Sequence, residues 1–107
     1  MSDKAAGPSL ISEREAADLI GKHILVGFTD VDADQRPRRQ QQIHGIVVRV
    51  SHNEGIVLRR PDGSEYNLPP SMDGFHEAPA GEYRLRSTGE IVCDPDYVVT
   101  YTRTQHQ

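Results

Sequence analysis

Residues 44–68 read HGIVVRVSHNEGIVLRRPDGSEYNL, two hairpin units in succession. Apolar residues recur at the two-residue period of a strand, so this stretch must fold as β-ribbon and not as helix. On that period Ile46, Val48 and Val50 face one way, Val47 and Arg49 the other. Pro61-Asp62-Gly63 has the chemistry of a three-residue hairpin loop, with proline pre-setting a type I turn and glycine taking the left-handed position. Such a loop sets Leu58 opposite Tyr66, Ile56 opposite Leu68 and Arg59 opposite Glu65. Apolar pairs then share one face and an ion pair lies on the other.

The chain has 107 residues, enough for one domain with a single core and little room for a deep substrate cavity. There is no tryptophan, so the core must be built from Ile, Val and Leu with a few Tyr and Phe. The formal net charge is -4, which opposes binding of nucleic acid through its phosphates. Arginine nonetheless dominates the basic residues, and its planar fork suits carboxylate or phosphate. The lone Cys93 excludes an intrachain disulfide. The first twenty residues hold no apolar run of signal-peptide length, and no segment has the length of a membrane span. The expectation is a cytoplasmic protein.

Residues 1–9 are small and polar and read as a disordered tail, leaving residues 10–104 as one β-barrel domain. Ser12 and Glu15 match a helix capping box, with Ile11 and Ala16 at the staple positions. A helix over residues 12–20, with Ala16, Leu19 and Ile20 as its apolar stripe, is expected to stop at Gly21. His23–Thr29 is apolar on both faces and reads as a well-covered strand. Residues 30–42, DVDADQRPRRQQQ, read as a long polar loop. Further short strands are expected at Glu82–Arg86, Glu90–Cys93 and Tyr97–Arg103, separated by Gly/Pro turns. Five or six short antiparallel strands and one short N-terminal helix make the chain mainly β. The expected architecture is a small SH3-like, partly open barrel with the first and last strands close together. An OB-type barrel is second, because residues 69–81 are too rich in Pro and Gly for its usual inserted helix.

Signals for chemistry are thin. Asp30, Asp32 and Asp34 have the opening spacing of a calcium loop, but Gln35 stands where glycine is needed and Gln41 where the bidentate glutamate is needed. The five histidines lack any metal-ligand spacing and read as structural or surface residues. No nucleophile elbow and no phosphate-cradling glycine loop is present. The expectation is therefore no enzyme, no cofactor and no metal. Candidate binding residues are Arg36, Arg38 and Arg39, followed by glutamines, and secondly Arg84 and Arg86, which share one face of their strand. A solvated charge ladder with Glu82 and Glu90 is the competing account of the second pair.

The sequence words GEYRLRSTGE and DPDY, with HGIVV and DGSEYNLPP before them, resemble a group of small bacterial proteins to which no activity is attached. The likeness spans about residues 22–103. It implies a bacterial source and, as one reading, an adaptor, immunity or accessory role. The sequence as a whole points to a non-catalytic module that binds another protein through polar loops and an exposed strand edge. The alternative is a small barrel binding single-stranded nucleic acid, which needs exposed tyrosines beside the arginines.

Overall fold

A computed structural model describes residues 10–104; the tail expected over residues 1–9 lies outside them, as does His106. The helix α1 spans Glu13–Leu19, and its capping box forms in both directions between Ser12 and Glu15. Ile11 and Leu19 are buried and Ala16 packs beside them. Ile20 is exposed, a correction to the expected stripe, because it already leaves helical geometry as the C-cap.

Eight strands follow: β1 His23–Val31, β2 Pro37–Ser51, β3 Gly55–Arg59, β4 Glu65–Leu68, β5 His76–Glu77, β6 Glu82–Arg84, β7 Ile91–Cys93 and β8 Tyr97–Thr104. Six form one sheet in the order β4-β3-β2-β1-β8-β5, and β6-β7 form a separate hairpin. The chain is thus mainly β with one short helix. The described strands leave β4 and β5 as the two edges of the sheet, with no closed barrel. One part of the expectation changes: the sheet is mixed and not all antiparallel, because β8 runs parallel to β1. The cause is local: Asp96 donates its N–H to the His23 carbonyl and accepts the His23 N–H on its carboxylate, so both strands start side by side.

The β3–β4 hairpin has the expected register, with Leu58 opposite Tyr66, Ile56 opposite Leu68 and Arg59 opposite Glu65. Arg49 of β2 adds itself to that outer face and bonds both Glu54 and Glu65. The β2–β3 register differs from the expected phase. A bulge at Val48 absorbs one residue, so Val47 is buried and Ile46 exposed, while Val50 returns to the core side. Gly45 lies before the bulge. It lets β3 approach, since a Cβ there would lie 2.6 Å from the Arg59 carbonyl oxygen.

Residues 30–42 are not a long loop. β1 runs on to Val31 and β2 begins at Pro37, joined by a tight turn in which the Asp32 carboxylate accepts the N–H groups of Asp34 and Arg36. Polar residues on a strand with no packed face leave no apolar period to read. The two faces of β1 serve two cores: Ile24, Val26 and Phe28 meet Val47, Ile56, Leu58, Leu68 and Val99, while Leu25 meets Leu85 and Val92 of the β6–β7 hairpin. Among the described residues no helix is long and apolar enough to cross a membrane.

Candidate functional site

The site is created by a mismatch of strand lengths. β2 has fifteen residues but pairs with β3 only from Ile46 to Ser51, so among the described residues Pro37–Ile43 has β1 on one side and no strand on the other. Val47 exchanges backbone hydrogen bonds with Gly21 and Lys22, on the β1 side. Strand alternation therefore turns the backbone groups of Gln40 and Gln42 toward the open side. There the Gln42 N–H reaches the Ser87 hydroxyl at 3.4 Å, and the Gln42 side chain accepts the Arg86 N–H at 2.7 Å.

Beside this edge lies a cleft of about 510 Å³, with Arg39–Ile43 on one wall and Arg60, Tyr66, Ser87 and Thr88 on the other. Arg103 and Phe28 form its inner end. Arg103 donates to both oxygens of the buried Asp30, at 2.7 and 3.2 Å, and to Gln41 at 3.0 Å. Its guanidinium sits 4.4 Å from the Phe28 ring centroid. The hydrogen bond to Asp30 raises the affinity of Arg103 for its proton further, so it stays a cation, paired with the Asp30 carboxylate. Arg39 and Arg60, by contrast, form no ion pair among the described residues. Tyr101 stacks on Phe28, with its hydroxyl buried and unpartnered among the described residues; burial first, and then Tyr66, push that phenol up to about 12.

Of the five arginines singled out in the sequence, only Arg39 lines the cleft. Arg36 belongs to the β1–β2 turn, and Arg38 is exposed 3.9 Å from the Asp32 carboxylate. Arg84 and Arg86 are exposed on the β6–β7 hairpin, opposite the more buried Tyr83 and Leu85 as expected, but outside the cleft. Arg60 and Arg103 were missed. The period of β8 could have found the second, since Tyr97, Val99, Tyr101 and Arg103 lie on one face.

A hydrogen-bonded chain crosses the opposite face. His44 Nε2 lies 2.7 Å from a Glu90 oxygen, and His44 Nδ1 lies 2.9 Å from His23 Nε2. The carboxylate can only accept, so His44 carries its proton on Nε2 and accepts from His23 on Nδ1. These two histidines are thus structural, paired with each other within the sheet. Among the described residues no three His, Cys, Asp or Glu side chains converge to hold a metal. Burial lowers the proton affinity of His23, and the neighbouring His44 adds to this against the pull of Asp96. An unfolded chain has His23 at its ordinary 6.5 and takes up a proton that the fold resists. Stability should therefore be flat above about pH 7.5 and fall as pH drops through the ordinary histidine range. Urea denaturation from pH 8 to pH 5 checks this, and His23→Gln should remove that step while leaving the carboxylate-driven loss below it.

No family model, no curated protein and no solved structure matches the chain.

Proposed function

We propose that this chain is a non-catalytic binding module that takes an extended, acidic segment of another protein along the open edge of β2. The observation that carries this reading is the side of Pro37–Gln41 left without a described partner strand, facing a cleft with two arginines that form no ion pair among the described residues. An added strand satisfies the N–H and C=O groups of Arg38 and Gln40, short of the Ser87 hydroxyl that already takes the Gln42 N–H, and acidic side chains meet Arg39 and Arg60. An adaptor, immunity or accessory role is compatible with such a surface. The scaffold we propose is of SH3-like, partly open barrel type, on the support of the β1–β4 meander and the adjacency of first and last strands.

Single-stranded nucleic acid fits less well. Stacking needs free aromatic faces, whereas Phe28 is buried under Arg103 and Tyr101 is packed against Phe28. Only Tyr66 of the four tyrosines lines the cleft.

The probe is an acetylated, amidated peptide Ser-Glu-Leu-Glu-Leu-Glu-Ser, titrated calorimetrically and by amide NMR shifts, with oligothymidylate in parallel. The expected result is peptide binding with shifts centred on Gln40, Gln42 and Arg60. The pair Arg39→Glu and Arg60→Glu should weaken it by about tenfold or more. Binding of the oligonucleotide without the peptide would replace this reading, and silence from both would end it.

A further inference from the structure

Hydrogen-bond donors dominate the walls of the cleft beside β2. No Asp or Glu lines it among the described residues, and the buried Asp30 behind it is taken up by Arg103. Gln41 accepts an Arg103 N–H on its side-chain oxygen at 3.0 Å, and Gln42 accepts the Arg86 N–H at 2.7 Å. An amide side chain whose oxygen is engaged has its NH2 group left for a ligand. Ser87 accepts the Gln42 N–H and Thr88 the Glu90 N–H on their hydroxyl oxygens, so each keeps a proton to donate.

Charge has the same sign as this donor excess. Arg39 and Arg60 line opposite walls, and neither forms an ion pair among the described residues. Arg60 is half-buried, where an unmatched guanidinium has lost part of its water. Asp62 feels the charge of Arg60, but its carboxylate is held by the Ser64 N–H and hydroxyl, at 2.9 and 2.6 Å. Such a lining calls for a ligand group that only accepts hydrogen bonds and carries more than one negative charge.

We infer that the cleft takes a phosphomonoester, carried as a phosphorylated side chain on the acidic segment. The inference rests on the reading of the β2 edge given above, since that edge holds the segment at Arg38 and Gln40. A carboxylate has two oxygens, which one guanidinium fork satisfies, leaving the second arginine unmatched. A phosphomonoester has three free oxygens and a charge of about −1.5 to −2 at pH 7, enough to bridge both walls. The amide and hydroxyl donors of Gln41, Gln42, Ser87 and Thr88 then have oxygens left to meet. A polynucleotide is a poorer match: it repeats its charge along the strand, whereas the cleft offers two unmatched cations in a chain of net charge -4.

The experiment compares Ser-Glu-Leu-Glu-Leu-Glu-Ser with the same peptide carrying phosphoserine in place of its central Glu, and with phenyl phosphate alone. At pH 7.5 the phosphopeptide should bind about tenfold more tightly than the glutamate peptide. At pH 5 that advantage should shrink to less than about threefold, because the phosphate has lost its second charge while glutamate stays ionised. Arg39→Gln and Arg60→Gln should each shrink it likewise at pH 7.5, with the urea midpoint verifying that both variants fold. Equal affinity of the two peptides, or an advantage that neither variant nor pH alters, overturns the phosphate site and leaves the edge reading intact. Phenyl phosphate binding with Arg39 and Arg60 dependence, while neither peptide binds, keeps the phosphate site and overturns the edge reading. Silence from all three overturns both.

Discussion

Gly55→Ala is expected to lower stability by about 4 kcal/mol, an effect set by one contact and one backbone angle. Gly55 opens β3 at φ +82, a left-handed conformation that disfavours any residue with a Cβ by about 1–2 kcal/mol. The added carbon would also fall far inside the van der Waals contact distance of the Leu68 carbonyl oxygen and 3.0 Å from its carbon. Those atoms are backbone. They belong to the residue that Ile56 faces across the β3–β4 ladder, so they cannot retreat without breaking that pair. Gly63 provides the control. It has φ +89 in the β3–β4 turn with open space where a Cβ would go, so Gly63→Ala should show the backbone cost alone. In thermal denaturation a domain of this size shifts by roughly 4–8 °C per kcal/mol, so the two variants should differ by about 10 °C or more. Equal shifts would show that the strand pairing at Leu68 does not constrain Gly55.

Local chemistry made the hairpin around Gly63 legible: Pro61 and Gly63 dictate the loop, the loop dictates the register, and the register brings Leu58 to Tyr66. The capping box at Ser12 and Glu15 was legible for the same reason, since both partners lie within one turn. Three β-branched or apolar residues in a row, Ile46-Val47-Val48, carry no mark of which one is extra. The bulge therefore reversed the expected facing, and with it the exposure of Ile46. The β1–β2 turn was read too long because strand polarity, in Arg38 through Gln42, has the same composition as loop polarity.

The candidate site was less legible because it is assembled across the chain. Arg39 was visible as part of a basic run, but the cleft it lines depends on β3 ending at Arg59, a property of ladder length. The His23–His44 pair depends on the register of β1 against β2, and no metal-like spacing signals it. Arg103 and Asp30 meet only because β8 lies parallel to β1, a pairing between residues 73 apart in sequence.

That last pair sets the second large expectation: Arg103→Ala should lose about 3 kcal/mol, more than its own exposure suggests. The Arg103 side chain is 38% exposed, so its attraction to Asp30 is partly screened by water. The Asp30 side chain is only 7% exposed in the pair. What destabilises the variant is therefore a stranded carboxylate, with its two charge-assisted hydrogen bonds at 2.7 and 3.2 Å both gone. The guanidinium also covers the Phe28 ring and holds Gln41, contacts that an ammonium group cannot reproduce in one plane. Arg103→Lys should accordingly recover only part of the loss. Combining Arg103→Ala with Asp30→Leu should recover most of it, because no charge then remains without a partner. Urea denaturation of the four chains at pH 7 separates the accounts. If the double variant is no more stable than Arg103→Ala alone, packing on Phe28 holds this end of the sheet and the buried charge does not.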